Sequence, residues 1–116
     1  LKHWNTLEST SQVDDIINKE SHTTTCVILK HSTTCSISSV AKMRLDRGWQ
    51  DLGDSVKWYY LDLLSYRPLS KYIAETLDVH HESPQVIIVR NGEATYDVSH
   101  LDISIKDLST EVGVQS

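Results

Sequence analysis

Apolar and polar positions follow two rhythms along this chain, and the switches between them mark out its elements. Val13, Ile16 and Ile17 fall on one helical face with Ser9, Thr10 and Ser11 ahead of them as helix starters, which predicts a helix over residues 10–20. Thr24 to Lys30 is a nearly unbroken apolar run and reads as a strand. Helical spacing returns with Ile37, Val40, Ala41, Leu45 and Trp49, placing a second helix over 35–49 that Gly48 and Gly53 weaken at its far end. Val56 to Asp62, rich in Val, Trp and Tyr, is a further strand, and the Arg67-Pro68 turn leads into a helix from Leu69 to Leu77. Gln85 to Arg90 reads as a short buried strand, Asn91-Gly92 as a two-residue hairpin turn, and Glu93 to Val98 as the antiparallel return. A last helix covers Ile103 to Val112.

This order predicts an α/β fold in which a four-stranded mixed sheet is flanked by helices on both faces, with a right-handed strand–helix–strand crossover inside it. Counting the extra N-terminal helix, the arrangement is thioredoxin-like. Ser83-Pro84, directly before the strand at Gln85, adds weight, because that fold sets a cis-proline loop beside a cysteine-bearing helix start. The isomer itself is open at this level, since only about 5–6% of X–Pro bonds in folded proteins are cis. With 116 residues, 39% of them hydrophobic and 23% charged, the expectation is a single domain over 1–116. A chain of this length buries about two-thirds of its unfolded surface.

Charge and hydropathy narrow the function classes. A formal net charge of -5 without clustered Lys and Arg argues against a general nucleic-acid partner, because counterion release rewards clustered cations. No run approaches the apolar length of a membrane span, and residues 1–5 show neither a signal-peptide core nor an Arg-rich transit pattern, so no membrane partner and a cytoplasmic setting are expected.

The chemistry concentrates at Cys35, where the first strand passes through a polar turn into a helix. A helix start presents unpaired N–H groups and the positive end of the macrodipole, and both favour a thiolate over a thiol, which makes Cys35 the candidate nucleophile. Thr34 and Ser36 flank it, and Ser38 stands three residues on, where a dithiol enzyme would carry its resolving cysteine. The motif is therefore monothiol, and Ser38 is placed to donate a hydrogen bond to the sulfur. Ser83 and Pro84 are expected to shape the substrate cleft, with Ser83 backbone groups pairing with an extended thiol ligand. Cys26, inside the strand, reads as a small buried hydrophobe, its functional rival being a resolving thiol. Lys30 reads as an exposed strand-end cation, its functional rival being a charge that steers an anionic thiol carrying carboxylates; His31 reads as a strand cap, its rival a loop orienter that adds positive charge when protonated; neither is given a catalytic role. His80-His81-Glu82 lacks the spacing of a helical zinc pair, so no metal is expected, and His100 reads as structural. Trp4, Trp49, Trp58 and the five tyrosines fill core and rim in a chain without phenylalanine.

Four blocks in order carry a family likeness: His31-Ser32-Thr33-Thr34-Cys35-Ser36-Ile37-Ser38, Tyr60-Leu61-Asp62-Leu63-Leu64-Ser65-Tyr66-Arg67, His81-Glu82-Ser83-Pro84-Gln85 and Ser99-His100. Together they resemble the monothiol bacilliredoxins of the bacillithiol system, over nearly the whole chain. The resemblance implies a thioredoxin fold and a single cysteine that removes bacillithiol from mixed disulfides on client proteins. It also implies bacillithiol as co-substrate rather than a permanently bound cofactor, and regeneration by a second small thiol or a separate reductase. Thr34 stands where that family often carries Arg, which removes one neighbouring cation that would favour the thiolate. Two other readings compete. One is a monothiol glutaredoxin-like iron–sulfur carrier, from whose Gly-Phe after the cysteine Ser36-Ile37 departs; the other is a non-catalytic thioredoxin-fold adaptor.

Overall fold

Among residues 3–113, which the computed structural model describes, five strands and four α-helices follow one another, with three short 3-10 helices between them. The strands and α-helices are β1 (Trp4–Thr6), α1 (Thr10–Asn18), β2 (Thr25–His31), α2 (Ser36–Gly48), β3 (Val56–Asp62), α3 (Arg67–Leu77), β4 (Gln85–Arg90), β5 (Glu93–Ser99) and α4 (Ile105–Val112). The expected domain over 1–116 includes positions 1, 2 and 114–116, which lie outside the described residues. No helix among the described residues is long and apolar enough to cross a membrane.

The strands form one mixed sheet in the order β1-β3-β2-β4-β5, with β3 parallel to both β1 and β2, and β4 antiparallel to β2 and β5. The count of four strands is thereby corrected to five. The added strand, β1, has only three residues, too few to display an alternation, and it is held by parallel pairing with β3 and by Trp4. The Trp4 ring meets Trp58 edge-on at 5.4 Å, and its Nε1 donates to Asp46 Oδ1 at 2.7 Å. Element ends otherwise shift by a residue or two. Pro68 is taken into the first turn of α3, and Ile103 precedes the Ser104 cap of α4, whose Oγ accepts from the Asp107 amide at 3.2 Å.

Period-two alternation divides β2 between two cores. Val27 and Leu29 face Ala41, Leu45 and Leu108 beneath α2 and α4, whereas Cys26 and Ile28 face Val13, Ile16 and Ile73 beneath α1 and α3. Because both faces are covered, the central strand reads as a continuous apolar run.

The hairpin between β4 and β5 needs its glycine. Asn91 and Gly92 have φ of 51° and 80°, the left-handed pair of a tight hairpin turn, and a Cβ on Gly92 would sit 3.1 Å from the Ile17 carbonyl oxygen. The Gly92 amide also donates to Ser21 Oγ at 2.9 Å, tying the turn to the short 3-10 helix Glu20–His22 that follows α1. Gly92→Ala is expected to lower the unfolding free energy by about 1–2 kcal/mol in urea denaturation. An unchanged midpoint would show that the turn relaxes freely.

One end of the sheet departs from the apolar pattern. Lys30, His31, Ser32, Ser38, Ser70 and Gln85 are all buried, and they gather where β2 ends, β4 begins and α2 and α3 start. Burying so many polar groups costs free energy unless each is hydrogen-bonded, so this end is where a site is to be sought.

Candidate active site

The turn after β2 is closed by the Cys35 amide, which donates to the Ser32 carbonyl at 3.2 Å. Cys35 then caps α2 in an extended conformation, its carbonyl accepting from the Ser39 amide at 3.0 Å. Its side chain is half-buried, next to the first-turn N–H groups that have no partner within a helix. Thr34 and Ser36 on either side are exposed, and Thr34 Oγ1 lies 3.3 Å from Ser32 Oγ.

Ser38 holds the turn rather than the sulfur. Its buried Oγ accepts from the Ser32 amide at 3.0 Å and is hydrogen-bonded to His31 Nδ1 at 2.6 Å. The expected bond to the thiolate is not among those Ser38 makes, which run to a strand-end histidine and a loop amide. His31 packs on the Tyr60 ring at 5.6 Å, and burial, assisted by Lys42, lowers its pKa below the ordinary histidine value, so the ring is neutral at pH 7. It orients the loop and brings no positive charge.

Facing the turn across the sheet end is the Ser83-Pro84 peptide, which is cis. Register places it there, since Gln85 pairs with Lys30 in the antiparallel ladder. Pro84 is buried and its carbonyl accepts from the His100 amide at 3.0 Å, so the end of β5 is tethered to the same loop. Ser83 Oγ, Gln85 Oε1 and Asp62 Oδ1 are buried acceptors without a protein partner, all at this end of the sheet. Outside them Glu82 reaches two imidazoles, His80 at 3.4 Å and His100 at 3.3 Å. Among the described residues no three His, Cys, Asp or Glu side chains converge on a metal position.

The second thiol is remote. Cys26 lies near the start of β2, wholly buried, with Sγ donating to the Thr24 carbonyl at 3.4 Å. Five residue steps along the strand take it to His31, about 16 Å of extended chain, far beyond the reach of a disulfide to Cys35. Burial, with Glu20 nearby, pushes its thiol up to about 11.

Lys30 is the residue most misjudged from sequence. Instead of an exposed cation it is wholly buried, its Nζ donating to the Ser70 carbonyl at 3.1 Å and to His81 Nδ1 at 3.2 Å. The alternation that puts Cys26 and Ile28 on the α1/α3 face puts Lys30 there too, so a signal was present. Ser70, Asp62 and Gln85 gave none.

A sequence model of the monothiol bacilliredoxin BrxC family matches residues 5–108 of the chain. The chain belongs to that family. Among solved structures, a thioredoxin-fold protein assigned as an oxidoreductase superposes with a TM-score of 0.83 at 32% identity, covering 95% of this chain and 94% of that one. Thioredoxin from Trypanosoma brucei brucei (TM-score 0.71, 16% identity, 94% and 87% covered) and oxidised mitochondrial thioredoxin 3 from Saccharomyces cerevisiae (0.73, 12%, 97% and 95%) share the fold. As a bacilliredoxin-family protein with a thioredoxin fold, the chain has a thiol redox role, in a family named for the bacillithiol system.

Proposed function

We propose that this bacilliredoxin-family protein removes bacillithiol from mixed disulfides on client proteins through Cys35. One observation carries the reading: the half-buried thiol caps α2 at the polar end of the sheet, opposite the cis-proline loop, with a serine where a second thiol would resolve it.

The nucleophile is the Cys35 thiolate, because the thiolate and not the thiol attacks a disulfide. That thiolate attacks the bacillithiol sulfur of a client–S–S–bacillithiol bond; a new Cys35–S–S–bacillithiol bond forms as the old one breaks, and the client leaves as its thiolate. The client sulfur is reduced and the Cys35 sulfur oxidised, so electrons balance. A second bacillithiol thiolate then attacks the captured bacillithiol sulfur, returning Cys35 as thiolate and releasing bacillithiol disulfide. Ser38 has no thiol to resolve the adduct internally, and Cys26 is too distant. The adduct therefore persists until an outside thiol or a separate reductase arrives. Thr34, Ser36, Ser83 and Pro84 border the approach, and the Ser83 backbone offers an edge for an extended ligand.

The test is intact-mass and peptide-mapping analysis after anaerobic incubation with a bacillithiolated peptide. The expected result is one bacillithiol adduct per chain, on the peptide containing Cys35, with stoichiometric release of free peptide thiol. An adduct mapping to Cys26, or an unreacted protein, defeats the reading.

A further inference from the structure

The buried ammonium of Lys30 has no counter-ion. An ammonium carries three donors. Here two are taken by the Ser70 carbonyl and His81 Nδ1, and no carboxylate among the described residues lies within ion-pair distance of it. Lysine is almost never fully buried without a paired charge. Since Lys30 can only donate, His81 Nδ1 accepts, and the ring proton sits on Nε2. Burial and the nearby Lys30 charge lower the His81 pKa, which keeps that ring a neutral donor.

Over these two groups opens a cleft of about 350 Å³, within the size range of small-ligand sites. Ser70 and His81 line it with Leu63 and Ala74, and α3 supplies the exposed cations Arg67 and Lys71 against one carboxylate, Glu75. In a chain of net charge -5, this is a locally cationic hollow with a buried positive charge behind it. One backbone bond links its wall to the end of the strand that leads into the Cys35 turn. The Leu63 amide donates to the His31 carbonyl at 2.9 Å, and the turn from Ser32 brings the Cys35 Cα within about 7 Å of the strand end.

We propose that this cleft binds the carboxylate end of the small thiol exchanged at Cys35. Arg67 and Lys71 meet the carboxylate, His81 Nε2 donates to it, and the Lys30 ammonium supplies the buried counter-charge. The identity of the ligand rests on the exchange reading above; the anion site itself does not.

Titration of the 15N-labelled protein with succinate, and separately with dimethyl succinate, tests the cleft. Saturable shifts of the Ser70, Lys71 and His81 amides are expected with the diacid and not with the diester. Arg67→Gln and Lys30→Met should each weaken succinate binding by about fivefold or more, the equivalent of ~1 kcal/mol. Arg67 is exposed at the start of α3, so its variant keeps the test intact if the Lys30 variant fails to fold. In a companion measurement, the ratio of Cys35 capture rates from a carboxylated and an uncharged small-thiol disulfide should fall by a similar factor in both variants. Absence of succinate shifts, or unaltered affinity in both variants, overturns the cleft. Succinate binding with an unaltered rate ratio overturns its part in exchange. If Cys35 captures neither thiol, the exchange reading fails, and the succinate titration still decides the anion site.

Discussion

Cys35→Ser is expected to reduce bacillithiol capture at pH 7 to background, whereas Cys26→Ala should retain the wild-type rate within about twofold. The asymmetry follows from where the two sulfurs lie. With its thiol pushed up to about 11, Cys26 has only about one part in ten thousand as thiolate at pH 7, against about 3% for a free cysteine near 8.5. The stronger intrinsic nucleophilicity of a more basic thiolate returns roughly a factor of ten, leaving Cys26 at least about twentyfold slower than a free thiol. Complete burial then blocks the approach that attack requires. Alanine suits position 26 because the side chain faces Ile28, Val13 and Ile73, where a small apolar group leaves no unpaired polar atom. Pseudo-first-order adduct formation followed by intact mass separates the outcomes. Capture in Cys35→Ser at the rate of free cysteine would place the chemistry on the wrong sulfur.

The fold and the position of Cys35 were legible in the sequence for a common reason. Both are written in patterns that local physics enforces: apolar periodicity over whole elements, and a polar turn between an apolar run and a helix. What stayed hidden depends on which segments meet across the fold. Three residues of β1 cannot show a period, and they are strand only because β3 offers them an edge. Ser38 lies one helical turn after Cys35, so spacing aims it at the sulfur. Its partners come instead from behind, where His31 ends the strand and the Ser32 amide turns inward. The isomer of Ser83-Pro84 is set by contacts rather than by the dipeptide.

Lys30 is the instructive failure, because two sequence signals pointed opposite ways. Its charge suggests solvent, while its place two residues after Ile28 puts it on a covered face. Position won, because α3 and the loop carrying His81 close over that end of β2. A chain that accepts such a burial retains a cost, and the cost is measurable.

Lys30→Met should raise the unfolding free energy at pH 7 by about 2 kcal/mol. Burial lowers the ammonium from 10.5 to about 8, and a shift of this size disfavours the charged folded state by roughly 3 kcal/mol at pH 7. Loss of the hydrogen bonds to the Ser70 carbonyl and His81 returns about 1 kcal/mol of that gain. Methionine matches the lysine stem in length and suits an apolar surround. The pH dependence carries the sign. Between about 8 and 10.5 the unfolded chain binds the proton more tightly than the folded one, so the wild-type penalty is full below pH 8 and disappears as pH rises past 10.5. The advantage of the variant should therefore shrink across that window. Cys26 works in the opposite direction, since its folded thiol is raised from 9.0 to about 11 and stability falls as pH rises between those values. That contribution is common to both proteins and cancels in their difference. Guanidinium denaturation of both proteins at pH 7 and at about pH 10 measures it. A gain that stays constant with pH, or a loss at pH 7, would mean that the ammonium is stabilised by its surroundings. A gain that fades as predicted makes Lys30 a charge held against its own solvation cost, and such a charge is available to an anion entering the cleft above it.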